Sequence, residues 1–209
     1  NMTRRKEDIT YDCLYLENEY VKLCVLPEIG GRLLYAIDKT NGYDIFYRNT
    51  VVKPANVGMT GAWISGGVEW NAFHHHRQTS HIPCDWKIEN NKDGSKTIWI
   101  GETEYRHRMQ WAIGITLHPG KSYMEISGRL INSTHNNNSM LYWSNVSTLV
   151  DENYQISLVG SKSDNYLWIL SRTPEPDPDL LKMVLDEAES RGYDTSKLIW
   201  VDQTMNEVV

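Results

Sequence analysis

The densest run of reactive side chains is Glu69-Trp70-Asn71-Ala72-Phe73-His74-His75-His76-Arg77, with His81 just beyond. Carboxylate and imidazole are the side chains best suited to proton transfer near neutral pH, so this run has the makings of general acid–base chemistry. Sugar ring opening is one such reaction. It needs an acid and a base on opposite sides of the ring oxygen and the anomeric hydroxyl. A metal is the competing use of histidines. Adjacent residues on a strand point to opposite faces, so His74 and His76 could converge while His75 could not. No His-Glu-x-x-His and no paired-cysteine spacing accompanies them, so neither a metal nor another cofactor is expected. A solvated or structural histidine cluster stays open as the plain alternative. Gly58, Gly61, Gly66 and Gly67 lack the Lys-Ser/Thr and the helix start that a phosphate loop needs.

These residues lie in a stretch without clear periodicity, from Asn49 to about Pro83, inside a chain that otherwise reads as β. Long irregular segments in compact domains tend to carry function. Before it, Val21, Leu23 and Val25 alternate on one strand, and Arg32 to Ile37 form a second, closed by an Asn41-Gly42 turn. After it, strands are predicted over 85–89, 96–104, 109–117, 123–131 and 140–149. Asp93-Gly94 and Pro119-Gly120 turns join the first two pairs. Successive antiparallel strands with short turns predict a sandwich or barrel. The last sixty residues differ. A hairpin over 154–159 and 166–171 precedes a helix capped by Asp177, started by Pro178 and ended at Gly192. Its apolar stripe is Leu180, Leu181, Val184, Leu185 and Ala188. A short strand over 197–201 follows. The expectation is a mainly β chain with three parts: a flexible segment over 1–10, a β-sandwich over 11–150, and a hairpin-plus-helix part over 151–209.

Composition narrows the partners. The 209 residues carry a formal charge of -6, which argues against a nucleic-acid ligand. No apolar run is long enough for a transmembrane segment. There are 8 Trp and 12 Tyr but only 2 Phe, a bias toward rings with a polar handle that suit half-wet surfaces and sugar-stacking platforms as well as sheet cores. Cys13, Cys24 and Cys84 are odd in number and give no disulfide framework. The basic opening Arg4-Arg5-Lys6 has no apolar stretch after it. The expected location is therefore cytoplasmic by default, or periplasmic or secreted if a leader has been removed.

Two stretches carry family resemblances. Leu26-Pro27-Glu28-Ile29-Gly30-Gly31-Arg32, Lys53-Pro54-Ala55, Gly61-Ala62-Trp63-Ile64-Ser65-Gly66-Gly67-Val68-Glu69, His75-His76-Arg77 and Gly114-Ile115-Thr116-Leu117-His118-Pro119-Gly120 resemble the DUF5107 family. That resemblance implies a galactose mutarotase-like β-supersandwich, of which residues 11–150 would be an early and incomplete part. It implies a carbohydrate ligand, with His75 or His76 as acid and Arg77 and Arg32 as contacts to sugar hydroxyls. Trp63 or Trp70 would stack on the pyranose face. The base in such sites comes from a later strand, leaving Glu69, and behind it Glu102, as fallback candidates. Tyr166-Leu167-Trp168-Ile169-Leu170-Ser171-Arg172-Thr173-Pro174, the helix, and Gly192 to Val201 resemble the end of a bacterial lipocalin. That implies a binding module for a small apolar molecule such as a fatty acid. The chain thus looks like a hybrid of two incomplete domains, whose open sheet edges would favour homo-oligomers.

Overall fold

In the strand Val21–Leu26, the apolar residues Val21, Leu23 and Val25 share one face and are fully buried. The same period-2 logic builds a whole layer around this strand. A computed structural model describes residues 6–53, 55–57, 61–72, 76–77, 79–148, 155–160 and 165–202, with backbone alone for 55–57 and 61–63. The chain divides into two compact units between Leu149 and Val150.

The first unit contains twelve strands among its described residues: β1 Leu14–Glu17, β2 Val21–Leu26, β3 Arg32–Asp38, β4 Tyr43–Asp44, β5 Ala55–Val57, β6 Gly61–Trp63, β7 Val68–Ala72, β8 Asp85–Asn90, β9 Lys96–Thr103, β10 Gln110–Leu117, β11 Met124–Ile131 and β12 Tyr142–Val146. Every pairing is antiparallel. One sheet runs β1-β2-β3-β7-β12 with β4 added on β3, and a second runs β11-β10-β9-β8. Strands β5 and β6 form a small hairpin of their own.

The two large sheets pack face to face as a sandwich. Leu23, Val25, Leu33, Val68 and Trp70 of the first meet Ile98, Ile100, Trp111, Ile113 and Ile115 of the second. The register sets Ile113 opposite Ile100 and Ile115 opposite Ile98. All four are at most 1% exposed. Burying each contributes about 1.5–3 kcal/mol. A smaller apolar cluster of Cys24, Leu26, Ile29 and Ile64 covers the other face of the first sheet. The mainly β, antiparallel architecture with one helix agrees with the expectation, and the turns at Gly42 and Gly94 take the left-handed φ their hairpins need.

Two details depart from it. The stretch over 49–83 is not uniformly irregular: it holds β5, β6 and the fully buried β7. Its pattern Val-Glu-Trp-Asn-Ala hides a central strand, because the alternate positions that face away from the core carry buried polar groups. Residues 197–201, read as a closing strand, have no ladder partner among the described residues, and Lys197 belongs instead to a short 3-10 turn, Thr195–Lys197.

The second unit pairs β13 Ile156–Gly160 with β14 Leu167–Ser171 and adds helix α1 Pro178–Ser190. Asp177 caps the helix, accepting from the Asp179 and Leu180 N–H groups at 3.0 Å each. Ala188, on the predicted stripe, is fully buried. Tyr193 sets its ring against Gly160, where a Cβ would lie 2.4 Å from the phenol oxygen. Tyr166, Trp168 and Leu170 are more than half exposed or nearly so, and no barrel closes around them among the described residues.

Candidate functional site

Strand β7 builds the site by alternation. Val68, Trp70 and Ala72 enter the sandwich core, so Glu69 and Asn71 point to the opposite face of the sheet. Pairing on both sides brings partners to that face. Leu33 of β3 lies opposite Val68, which sets Arg32 beside Glu69. On the other side Asn145 of β12 lies opposite Glu69, and Trp143 opposite Asn71. Arg32, Glu69 and Asn145 therefore form a cross-strand row over three strands.

The row starts at a strained turn. Gly66 and Gly67 both have positive φ, and a Cβ on Gly67 would lie 2.3 Å from the Leu33 carbonyl oxygen. Only glycine fits that approach. The Gly66 carbonyl in turn accepts a hydrogen bond from Arg32 Nη1.

Glu69 is 2% exposed and holds the centre. Its Oε2 accepts from Asn71 Nδ2 at 3.1 Å and Asn145 Nδ2 at 3.0 Å, and lies 3.0 Å from His76 Nδ1. A carboxylate is acceptor-only, so Nδ1 carries the hydrogen and Nε2 is left with its lone pair. The His76 side chain is 25% exposed, and its ring packs in a T-shape with Trp143 at 5.9 Å between centroids. Nε2 has no hydrogen-bond partner among the described residues. The arrangement is an oriented imidazole backed by a carboxylate: His76 can take or give a proton at Nε2, while Glu69 fixes its tautomer and ring orientation.

Arg32 is the nearby cation. Its Nη2 stands 3.8 Å from Glu69 Oε1, an ion-pair distance without a hydrogen bond. Among the described residues Arg32 Nε and Nη2 and Glu69 Oε1 are buried with no hydrogen-bond partner. Burial brings the Arg32 guanidinium down to about 10, with Glu69 opposing that effect, so it remains a cation at neutral pH.

Of the residues predicted from sequence, Glu69, His76 and Arg32 are brought together. Trp70 and Arg77 are placed elsewhere. The Trp70 ring packs in the core, 3% exposed, with its N–H bonded to the Gly31 carbonyl at 2.9 Å, so neither face is open for stacking. Arg77 is 4% exposed and fully committed. It donates to the carbonyls of Trp70 and Gly30, to Thr79 Oγ1 and to Glu102 Oε1, and stacks on Trp111 at 4.4 Å. Glu102 is held by that guanidinium together with Thr79 and Trp111, so it is not a spare base. His75 lies outside the described residues, and so does the side chain of Trp63. Asn145 and Trp143 were not singled out in the sequence. The signal was present as a Trp and an Asn two apart on one face of a strand, a position where Asn is disfavoured unless its amide has partners. Among the described residues no group of His, Cys, Asp and Glu could hold a metal ion.

The chain belongs to the DUF5107 family, a domain of unknown function, which matches residues 1–170. That match runs past residue 150 into β14. A TPR-domain containing protein from Parabacteroides distasonis ATCC 8503 has a similar solved structure, with a TM-score of 0.67 and 23% identity. The likeness is one of fold and covers 71% of this chain and 26% of that one. A short stretch is similar to lipocalins. Temperature-induced lipocalin-1 of Arabidopsis thaliana is 45% identical over 49 residues, and outer membrane lipoprotein Blc of Escherichia coli K12 is 43% identical over 54. These stretches cover 23% and 26% of this chain, and only 26% and 30% of the two relatives. The chain is therefore similar to two families over different extents. No helix is long and apolar enough to cross a membrane among the described residues.

Proposed function

We propose that the face formed by Arg32, Glu69, Asn71, His76, Trp143 and Asn145 binds a carbohydrate and offers it one acid–base group, His76. One observation carries this reading. Glu69 Oε2 anchors His76 through Nδ1, on a sheet face where the Trp143 ring packs against His76 and the Arg32 guanidinium stands beside Glu69. Sugars are recognised by such mixtures of charged hydrogen-bonding groups and aromatic surface. The galactose mutarotase-like resemblance of the DUF5107 stretch points the same way. Ring opening needs a second proton-transfer group opposite the first. Glu69 is tied to three donors through Oε2 and acts on His76, so binding is supported more strongly than turnover.

Saturation-transfer NMR with a panel of aldohexoses tests the reading. Binding is expected for at least one sugar and is expected to weaken in His76→Asn. Anomer exchange, followed on the same samples, slows by about 10²–10⁴-fold in that variant if His76 transfers the proton. Absence of saturation transfer across the panel refutes the proposal.

A second reading concerns the second unit alone. A cleft of about 760 Å³ there is bordered by Trp168, Leu170, Pro174, Leu181, Tyr193 and Trp200. Its half-exposed indoles suit a small apolar ligand, in keeping with the lipocalin-like stretch. A fluorescent fatty acid is the probe: enhancement lost in Trp168→Ala supports the reading, and no enhancement removes it.

A further inference from the structure

We infer that the facing edges of Arg32 and Glu69 form a subsite for a neutral vicinal diol, one hydroxyl of which bridges the two side chains. The inference rests on the carbohydrate reading above and specifies which part of the ligand the site selects.

Three buried polar atoms require partners: Arg32 Nε, Arg32 Nη2 and Glu69 Oε1. Arg32 is 4% exposed and Glu69 2%. Leaving such atoms unmade is costly, and more so for charged groups in a low dielectric. Nε and Nη2 form the edge of the guanidinium that carries two parallel N–H bonds. The opposite side is already held, with Nη1 bonded to the Gly66 carbonyl. The Nη2 to Oε1 separation of 3.8 Å is too long for a hydrogen bond between them. It is short enough that one oxygen, about 2.8 Å from each, satisfies both.

The chemistry of that oxygen is constrained. It must accept from Nη2 and donate to Oε1. A carboxylate or phosphate accepts from arginine but cannot donate, and its charge would sit against Glu69. An ammonium donates to Glu69 but is repelled by Arg32. A hydroxyl does both and is uncharged. A second hydroxyl on the adjacent carbon then accepts from Nε, which completes the set. His76 and Asn145, the partly exposed members of the cluster, mark the side from which the ligand reaches these buried edges.

The test is a titration of the whole chain followed through the arginine Nε–H signals by ¹⁵N NMR, with the Arg32 signal assigned by its loss in Arg32→Lys. The probes are glucose, galactose, their single-deoxy analogues, their uronates, cis-1,2-cyclohexanediol and inorganic phosphate. Neutral sugars and the diol are expected to shift the Arg32 signal. Removing either of two adjacent hydroxyls is expected to weaken binding at least tenfold, as is Arg32→Lys. Uronates are expected to bind no tighter than their parents. If sugars bind while the Arg32 signal stays still and Arg32→Lys is silent, the diol subsite falls and the carbohydrate reading survives. Tighter, Arg32-dependent binding of uronate or phosphate makes this an anion site instead. If neither sugar nor diol binds, both claims fall. Should Arg32→Lys fail to fold, the deoxy series on the unaltered protein decides.

Discussion

Arg77 and Glu102 tie the two sheets of the sandwich together: the guanidinium that follows β7 lies 3.1 Å from a carboxylate on β9, both largely buried. The four acceptors around Arg77 replace the water it gives up, so the pair is tolerated inside the fold. Truncating one partner strands the other. Arg77→Ala and Glu102→Ala are each expected to cost about 3–5 kcal/mol in urea unfolding. The double variant is expected to cost less than the sum of the two. Additive losses would show that the two side chains are not energetically joined. Arg77, a sugar contact by sequence, thus has its measurable effect on stability.

Gly67 gives a second test. It enters β7 with φ of 64° and packs its Cα against the Leu33 backbone. Gly67→Ala adds both a strained backbone and a backbone clash, with an expected loss of about 1–3 kcal/mol. Gly120→Ala is the control, because its Cβ meets nothing within 4 Å although its φ is 67°. The difference between the two variants, read from denaturant midpoints, isolates the contact from the dihedral.

Alkaline pH should loosen the first unit. Burial pushes the Cys84 thiol up from 9.0 to about 11, and burial moves Cys24 in the same direction. A raised thiol keeps its proton longer in the folded chain than in the unfolded one. Stability is thus intact below pH 9 and is lost as pH climbs from 9 toward 11. Cys84→Ala should reduce that fall by roughly 3 kcal/mol, from two pH units at about 1.4 kcal/mol each. Urea midpoints across this window check it, and identical pH slopes for the two proteins would refute the claim.

In the second unit Asp177 satisfies two N–H groups at the start of α1. Asp177→Ala is expected to cost about 1 kcal/mol, and Asp177→Asn far less. Hydrogen exchange of the Asp179 and Leu180 amides reports the loss locally, and unchanged protection of both would count against the cap.

Strand β10 was legible because Trp111, Ile113, Ile115 and Leu117 alternate with Gln110, Ala112, Gly114 and Thr116. Strand β7 was not, since Glu69 and Asn71 are as buried as Val68 and Trp70. Burial on both faces removes the contrast that periodicity reads. The same burial explains the site. Glu69, His76 and Arg32 stood out by residue type, but only strand pairing separates them from Arg77, which is close in sequence and serves the other face. Asn145 lies 76 positions from Glu69, and no local pattern links them.

One irregularity in β3 decides which chemistry this fold can host. Between Cys24 and Val25 the ladder slips, so Cys24 faces Tyr35 while Val25 faces Leu33, and Leu34 is the additional residue. Leu33 and Ala36 both reach the sandwich core as a result. A β3 that kept Leu34 but ran without this slip would be in a single phase and face a forced choice. Keeping Ala36 inside would swing Arg32 into hydrocarbon, whereas keeping Arg32 beside Glu69 would turn Ala36 out toward water. Ironing out that one slip is therefore equivalent to removing the guanidinium from its carboxylate, without altering either residue.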